Sequence, residues 1–114
     1  MSADCLFCRI VAGEIPAKRM HEDELSLCFS DITPQAPTHL LIIPKEHIVS
    51  QAHAQQSHAA LLGHLLATAA AVARTAGLDR GYRVVINTGA DGGQTVDHLH
   101  LHLLGGRHMG WPPG

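Results

Sequence analysis

Residues 97–106 read DHLHLHLLGG, so histidine stands at 98, 100 and 102 with leucine between. Strict alternation is the period of a β-strand, which points successive side chains to opposite faces of a sheet. The spacing predicts one face carrying His98, His100 and His102 and another carrying Leu99, Leu101 and Leu103. The leucine face can bury itself against a helix. A polar strand face is ordinarily built from Thr, Lys, Glu or Ser, so three imidazoles point to chemistry. Imidazole ligates metals, attacks as a nucleophile and carries protons near neutral pH, because its free pKa is about 6.5. At about 3.3 Å per residue the Cα atoms of His98 and His102 stand roughly 13 Å apart, whereas ligand nitrogens sit about 2.1 Å from an ion they share. One ion holding all three is strained. A metal takes one or two of them and leaves another for catalysis.

Two further stretches have the residue types for chemistry. Gly92 and Gly93, in GADGGQ just upstream of the histidines, let the backbone approach a ligand and turn N–H groups toward an anion, although Gly-Gly is also ordinary hairpin chemistry. A hairpin through this turn brings Asn87 close to the histidine strand. Cys5 and Cys8 form CLFC, which in a reducing compartment reads as a metal or redox element or as two small buried hydrophobes. Cys28, in LCFS, reads as an inert core residue.

The elements that must position these groups follow from the pattern. Gly13 and Pro16 end any short N-terminal helix. ELSLCFSDI and THLLIIP read as strands separated by PQAP, and GYRVVINT as a third strand before the histidine strand. One long helix is expected at about 57–76, with Ser57 as its N-cap, Gly77 at its C-terminus, and Leu61, Leu62, Leu65, Leu66, Ala69, Val72 and Ala73 as its apolar stripe. Together these describe an α+β fold, an antiparallel sheet covered by one long helix. The Gly/Pro-rich tail from about residue 105 to 114 cannot continue the sheet, yet Trp111 argues that it docks, with a second subunit as one place for it.

A chain of 114 residues with 46% hydrophobic content suits a single domain, 1–114. The charge of −2, with both signs mixed along the chain, leaves no basic stripe for nucleic acid and no charged block for a membrane surface. A small-molecule partner fits better. The N-terminus lacks the pattern of a signal peptide, and the long helix is interrupted by His64, Thr68 and Arg74, so a soluble cytoplasmic protein is expected.

HLHLHLLGG resembles the His-x-His-x-His-x-x signature of the histidine triad (HIT) superfamily, x being apolar. EIPAK, DITPQAPTHLLIIPKEHI, LLGHL, GYRVVINTGADGGQTVDHLHLHLLGGR and WPPG extend the resemblance to its Hint branch, the histidine triad nucleotide-binding proteins, over nearly the whole chain. That resemblance implies a HIT-like homodimer that cleaves adenosine 5′-phosphoramidates, and aminoacyl adenylates, to AMP. His100 would be the nucleophile and become transiently nucleotidylated, which splits one displacement into two easier ones. His102 would contact the phosphate, His39 would join a hydrogen-bonded chain behind it, and His98 would orient the triad or hold metal. Asn87, Gly93, Gln94 and Thr95 match the phosphate side. Asp31 matches a carboxylate that accepts from the ribose hydroxyls, although by itself it reads equally as an Asx-turn. Leu6, Phe7, Ile10, Phe29 and Ile32 match apolar walls around the base, and Trp111 a tail aromatic that reaches the opposite subunit's site.

The resemblance also implies a structural zinc held by Cys5, Cys8, His47 and His98, a closed shell with no position left for catalysis. The other histidines, His21, His53, His58, His64 and His108, read as solvated surface groups. Three alternatives stand beside the phosphoramidase: a dinucleoside polyphosphate hydrolase, whose relatives lack LLGGR and WPPG, a nucleotide-binding or scaffolding module with incidental hydrolysis, and a metallohydrolase, which the 13 Å estimate disfavours.

Overall fold

The computed structural model describes residues 4–114. Its sheet has five antiparallel strands in the order β1-β2-β3-β5-β4, namely β1 Arg19–Glu22, β2 Ser26–Ser30, β3 Thr38–Pro44, β4 Tyr82–Val85 and β5 Leu101–Gly105. Helix α1 (Leu6–Val11) precedes β1, α2 (Ala59–Thr75) links β3 to β4, and a single turn, α3 (Gly89–Gly92), lies between β4 and β5.

Alternation along the central strands sorts side chains onto two cores. Cys28, Leu40, Ile42, Leu101 and Leu103 face α2 and meet Leu65, Ala69, Val72 and Ala73, joined by Leu99 from the segment preceding β5. Leu27, Phe29, Leu41 and Ile43 face the other way and meet Phe7, Cys8 and Ile10 of α1. The long helix covers one face, as expected. The second face is covered at one end by the short α1, and the site lies on that side.

The register also departs from the sequence pattern. The β5 ladder starts at Leu101, so His98 and His100 precede the strand, and the Leu99 N–H donates to Ile48 O at 2.6 Å. The alternation survives, because Leu99 is buried with the α2 core while His98 and His100 face Phe7. GYRVVINT narrows to Tyr82–Val85, since β4 has only β5 to pair with and that pairing ends at Val85 opposite His102. Strand β1 was not expected. Its four residues are all exposed, as on a charged sheet edge, and such a strand shows no hydrophobic period.

Helix α2 begins one residue later than a Ser57 cap would require. A 3₁₀ turn, Gln56–His58, leads into it, and the Gln55 N–H donates to His58 Nδ1 at 2.9 Å, so the cap function falls to Gln55 and His58. Its C-terminus is as read: Gly77 takes a φ of +76°, and the Leu78 N–H reaches back to Ala73 O at 3.0 Å. In the stripe, Leu66 is exposed and Thr68 is buried in its place. Cys28 is fully buried, and burial pushes its thiol up to about 12, as an inert core residue requires.

Not all of the remaining histidines are idle. His21 and His64 both place Nε2 on Asp23 Oδ2, at 2.8 and 3.0 Å, tying the β1–β2 turn to α2. Burial alone would raise the Asp23 carboxyl, but bonds from His21, the Leu25 N–H, Ser26 and His64 hold it well below the usual carboxylate range.

Candidate active site and metal centre

Backbone groups set the protonation of each triad ring. His100 Nδ1 lies 2.7 Å from His98 O, and a carbonyl only accepts, so the His100 proton sits on Nδ1 and Nε2 keeps its lone pair. His98 Nε2 lies 2.8 Å from Pro44 O, which by the same logic leaves its Nδ1 unprotonated. The Gln35 N–H donates to His39 Nδ1 at 3.0 Å, so His39 carries its proton on Nε2. That Nε2–H faces His102 Nδ1 at 2.9 Å, which makes the His102 nitrogen the acceptor and puts the His102 proton on Nε2. The outcome is a nucleophilic lone pair on His100 beside an N–H donor on His102, with ring centroids 5.0 Å apart. Burial, then the neighbouring His100 and His39, lower the His102 pKa to about 4, so it donates as a neutral imidazole at pH 7.

These rings open on a cavity of about 260 Å³ lined by Leu6, Phe7, Ile10, Phe29, Asp31 and Ile32 on one side and Thr95, His100 and His102 on the other. Phe7 stands edge-on to Phe29 and to His100, with centroids 5.4 and 5.1 Å away. Asp31 Oδ1 accepts from the Thr33 N–H at 2.8 Å, so the Asx-turn is real, and Oδ2 lies 3.4 Å from His39 Nε2. The turn uses one oxygen and leaves acceptor capacity toward the cavity.

Asp31, His39 and His102 also bring possible ligand atoms within 4.8 Å of one another. Hydrogen bonding argues for a proton relay over a metal there: a cation on His39 Nε2 would move the ring proton to Nδ1, against the Gln35 N–H.

The four residues expected on the phosphate side divide. Thr95 lines the cavity and Asn87 is half-buried two positions beyond β4. Gln94 spends its side chain on the loop: Oε1 accepts from the Gly89 N–H at 2.9 Å, and Nε2 donates to Val49 O and Val96 O. Gly93, at φ +83°, closes α3 in a conformation that favours glycine. Trp111 is 83% exposed and is not among the residues lining this cavity. Pro44 O and the Gln35 N–H were not found from the sequence, because backbone groups carry no residue signature.

The second centre lies behind His98. Cys5 is the N-cap of α1, its Sγ accepting from the Cys8 N–H at 3.3 Å, so the CLFC spacing places both thiols at one helix end. His98 Nδ1 lies 3.3 Å from Cys5 Sγ, 3.6 Å from Cys8 Sγ and 3.2 Å from His47 Nδ1, which is 3.3 Å from Cys8 Sγ. Four soft or borderline donors at these spacings fit the corners of a tetrahedral zinc shell, and the Pro44 carbonyl supplies the outer hydrogen bond that orients a ligating imidazole. Three of the four are buried, and burial raises the Cys5 thiol, a cost that a bound cation would reverse. His98 thus has both ring nitrogens turned away from the cavity and meets His100 only through its carbonyl.

An antiparallel five-stranded sheet under one long helix, with a triad of imidazoles on the segment that runs into the inner strand β5, is the arrangement of the histidine triad class. Residues 12–109 match the HIT domain, and the chain belongs to the HIT family. It is similar to an uncharacterized HIT-like protein of Synechococcus elongatus, 57% identical over the full length of both chains. It is 53% identical to a 14 kDa zinc-binding protein of Zea mays, over 96% of this chain and 87% of that one. Its fold is similar to the crystal structure of a HIT family hydrolase from Legionella pneumophila, with a TM-score of 0.96 and 54% identity over 97% of this chain and 100% of the other.

Proposed function

We propose that this protein is a hydrolase that cleaves the P–N bond of adenosine 5′-phosphoramidates through a nucleotidylated His100. The carrying observation is the His100 tautomer: with Nδ1–H held by His98 O, the Nε2 lone pair is free at the cavity. In the first step His100 Nε2 bonds to the α-phosphorus and the P–N bond to the leaving amine breaks, the amine taking a proton from solvent that the attacking water returns in the second step. In the second, water bonds to phosphorus, the bond to His100 breaks, and AMP leaves as the ring returns to neutral. His102 Nε2–H donates to the phosphoryl oxygens as charge develops there. Phe7, Ile10, Phe29 and Ile32 offer apolar walls to the base, and Asp31 accepts from the ribose hydroxyls. Aminoacyl adenylates present the same α-phosphorus and are substrates of the same reading.

Cys5, Cys8, His47 and His98 hold a structural zinc in this reading, supported by the donor geometry and by the zinc-binding Zea mays relative. The ion pins α1 to the catalytic segment and completes the cavity wall that Phe7 provides. Reduced thiols in that shell suit the cytoplasm. The protein works as a homodimer: β4 is a sheet edge, and the exposed Trp111 of the tail is available to a partner's cavity.

AMP release from adenosine 5′-phosphoramidate by the purified protein, beside His100→Ala, tests the reading. Turnover lost in the variant supports it; AMP binding without turnover in the intact protein favours a binding module, and preference for a diadenosine polyphosphate favours the P–O reaction.

A further inference from the structure

Just beyond β5, Gly106 takes a φ of +90°, and a Cβ there would lie 2.8 Å from Pro37 Cβ. Glycine therefore lets the chain fold closely against the loop at 31–37, and the turn delivers Arg107. Arg107 Nη2 donates to Gln35 O at 3.0 Å, and Nη1 donates to His108 O at 3.0 Å. Gln35 is the residue whose N–H donates to His39 Nδ1. It is thus gripped on both sides, its N–H by the relay histidine and its C=O by the arginine.

We propose that Arg107 is a positioning residue for the reaction: by holding Gln35 O it keeps the Gln35 N–H on His39 Nδ1 and so fixes the direction in which the His39–His102 pair is protonated. The kinetic half of this inference rests on the hydrolase reading above; the tautomer half rests on the hydrogen bonds alone. With the Gln35 N–H withdrawn, His39 is free to carry its proton on Nδ1. Its Nε2 lone pair then faces His102, and the bond between the rings persists only if His102 is protonated on Nδ1. His102 Nε2 would turn a lone pair to the cavity, where the phosphoryl group needs a donor. On each ring the Nε2–H bond gives its proton to water and an Nδ1–H bond forms with a proton taken from water, so the count of protons is unchanged.

The test combines kinetics on adenosine 5′-phosphoramidate with ¹H–¹⁵N NMR of the histidine rings, which separates Nδ1–H from Nε2–H tautomers. Arg107 is exposed, so Arg107→Met should fold normally. We expect kcat to fall about fivefold with KM nearly unchanged, as for loss of one hydrogen bond. His39 should leave its single Nε2–H tautomer, and Arg107→Lys, which keeps a donor, should recover most of both. An unchanged His39 tautomer in Arg107→Met overturns the proposal whatever the rate does. A shifted tautomer in a protein whose wild type releases no AMP upholds the positioning role and defeats the hydrolase reading.

Discussion

His98 and His100 are joined by one hydrogen bond, the His100 Nδ1–H donating to His98 O at 2.7 Å, while the His98 ring points the other way, into the Cys5–Cys8–His47 cluster. One residue therefore serves two centres, its ring completing a metal shell and its carbonyl fixing the His100 tautomer. Phe7 couples them a second way, standing edge-on to both His98 and His100 from the helix that carries Cys8.

Metal removal should therefore loosen more than the N-terminus. Purified gently, the protein should contain about one zinc per chain, and Cys8→Ser should contain almost none. The variant should unfold at a lower temperature and bind AMP more weakly, because α1 and its Phe7 wall are no longer pinned. Elemental analysis with thermal denaturation reads this out; a zinc-free wild type of unaltered stability would count against it.

The buried relay gives stability a pH dependence of known sign. His102 titrates near 4 when folded, against an ordinary 6.5, so between these values the unfolded chain binds the extra proton. The stability this neutral ring permits should be fully present above about 6.5, decline as the pH falls, and be lost by about 4. His102→Gln, which keeps a side-chain donor, should flatten that part of the denaturation profile. Equal slopes for both proteins in chemical denaturation at stepped pH would refute the assignment.

Asp31 keeps acceptor capacity beside the cavity after its Asx-turn is made. If its free acceptor capacity meets the ribose, Asp31→Asn should raise KM for adenosine 5′-phosphoramidate about tenfold, the loss of a charge-assisted bond. The 2′,3′-dideoxy analogue should be equally poor with both proteins. A variant that discriminates between the two substrates as wild type does would place the ribose elsewhere.

Much of this was legible in the residues, and the gaps have physical causes. Alternation at 98–103 identified the two faces correctly even where the ladder had not begun, because burial, which drives alternation, does not require a partner strand. CLFC by its own residues is ambiguous, and only the family resemblance pointed to His47 and His98 as its partners, since ligands from three separate segments meet only in the fold. Gln35 and Pro44 contribute an N–H and a C=O that any residue could supply in part, so nothing in their side chains announces the relay. Ser57 misled because a hydroxyl at the expected cap position looks the same whether the helix starts there or, as here, after a 3₁₀ turn.

The most direct test is rapid-quench mass spectrometry of the protein mixed with adenosine 5′-phosphoramidate. An adenylyl group on the peptide carrying His100, formed and consumed at the rate of AMP release and missing in His100→Ala along with at least about a thousandfold of the turnover, is the expected result. Steady AMP release by His100→Ala, or adenylylation at another residue that turns over at the full rate, would contradict the assignment of His100 as the nucleophile.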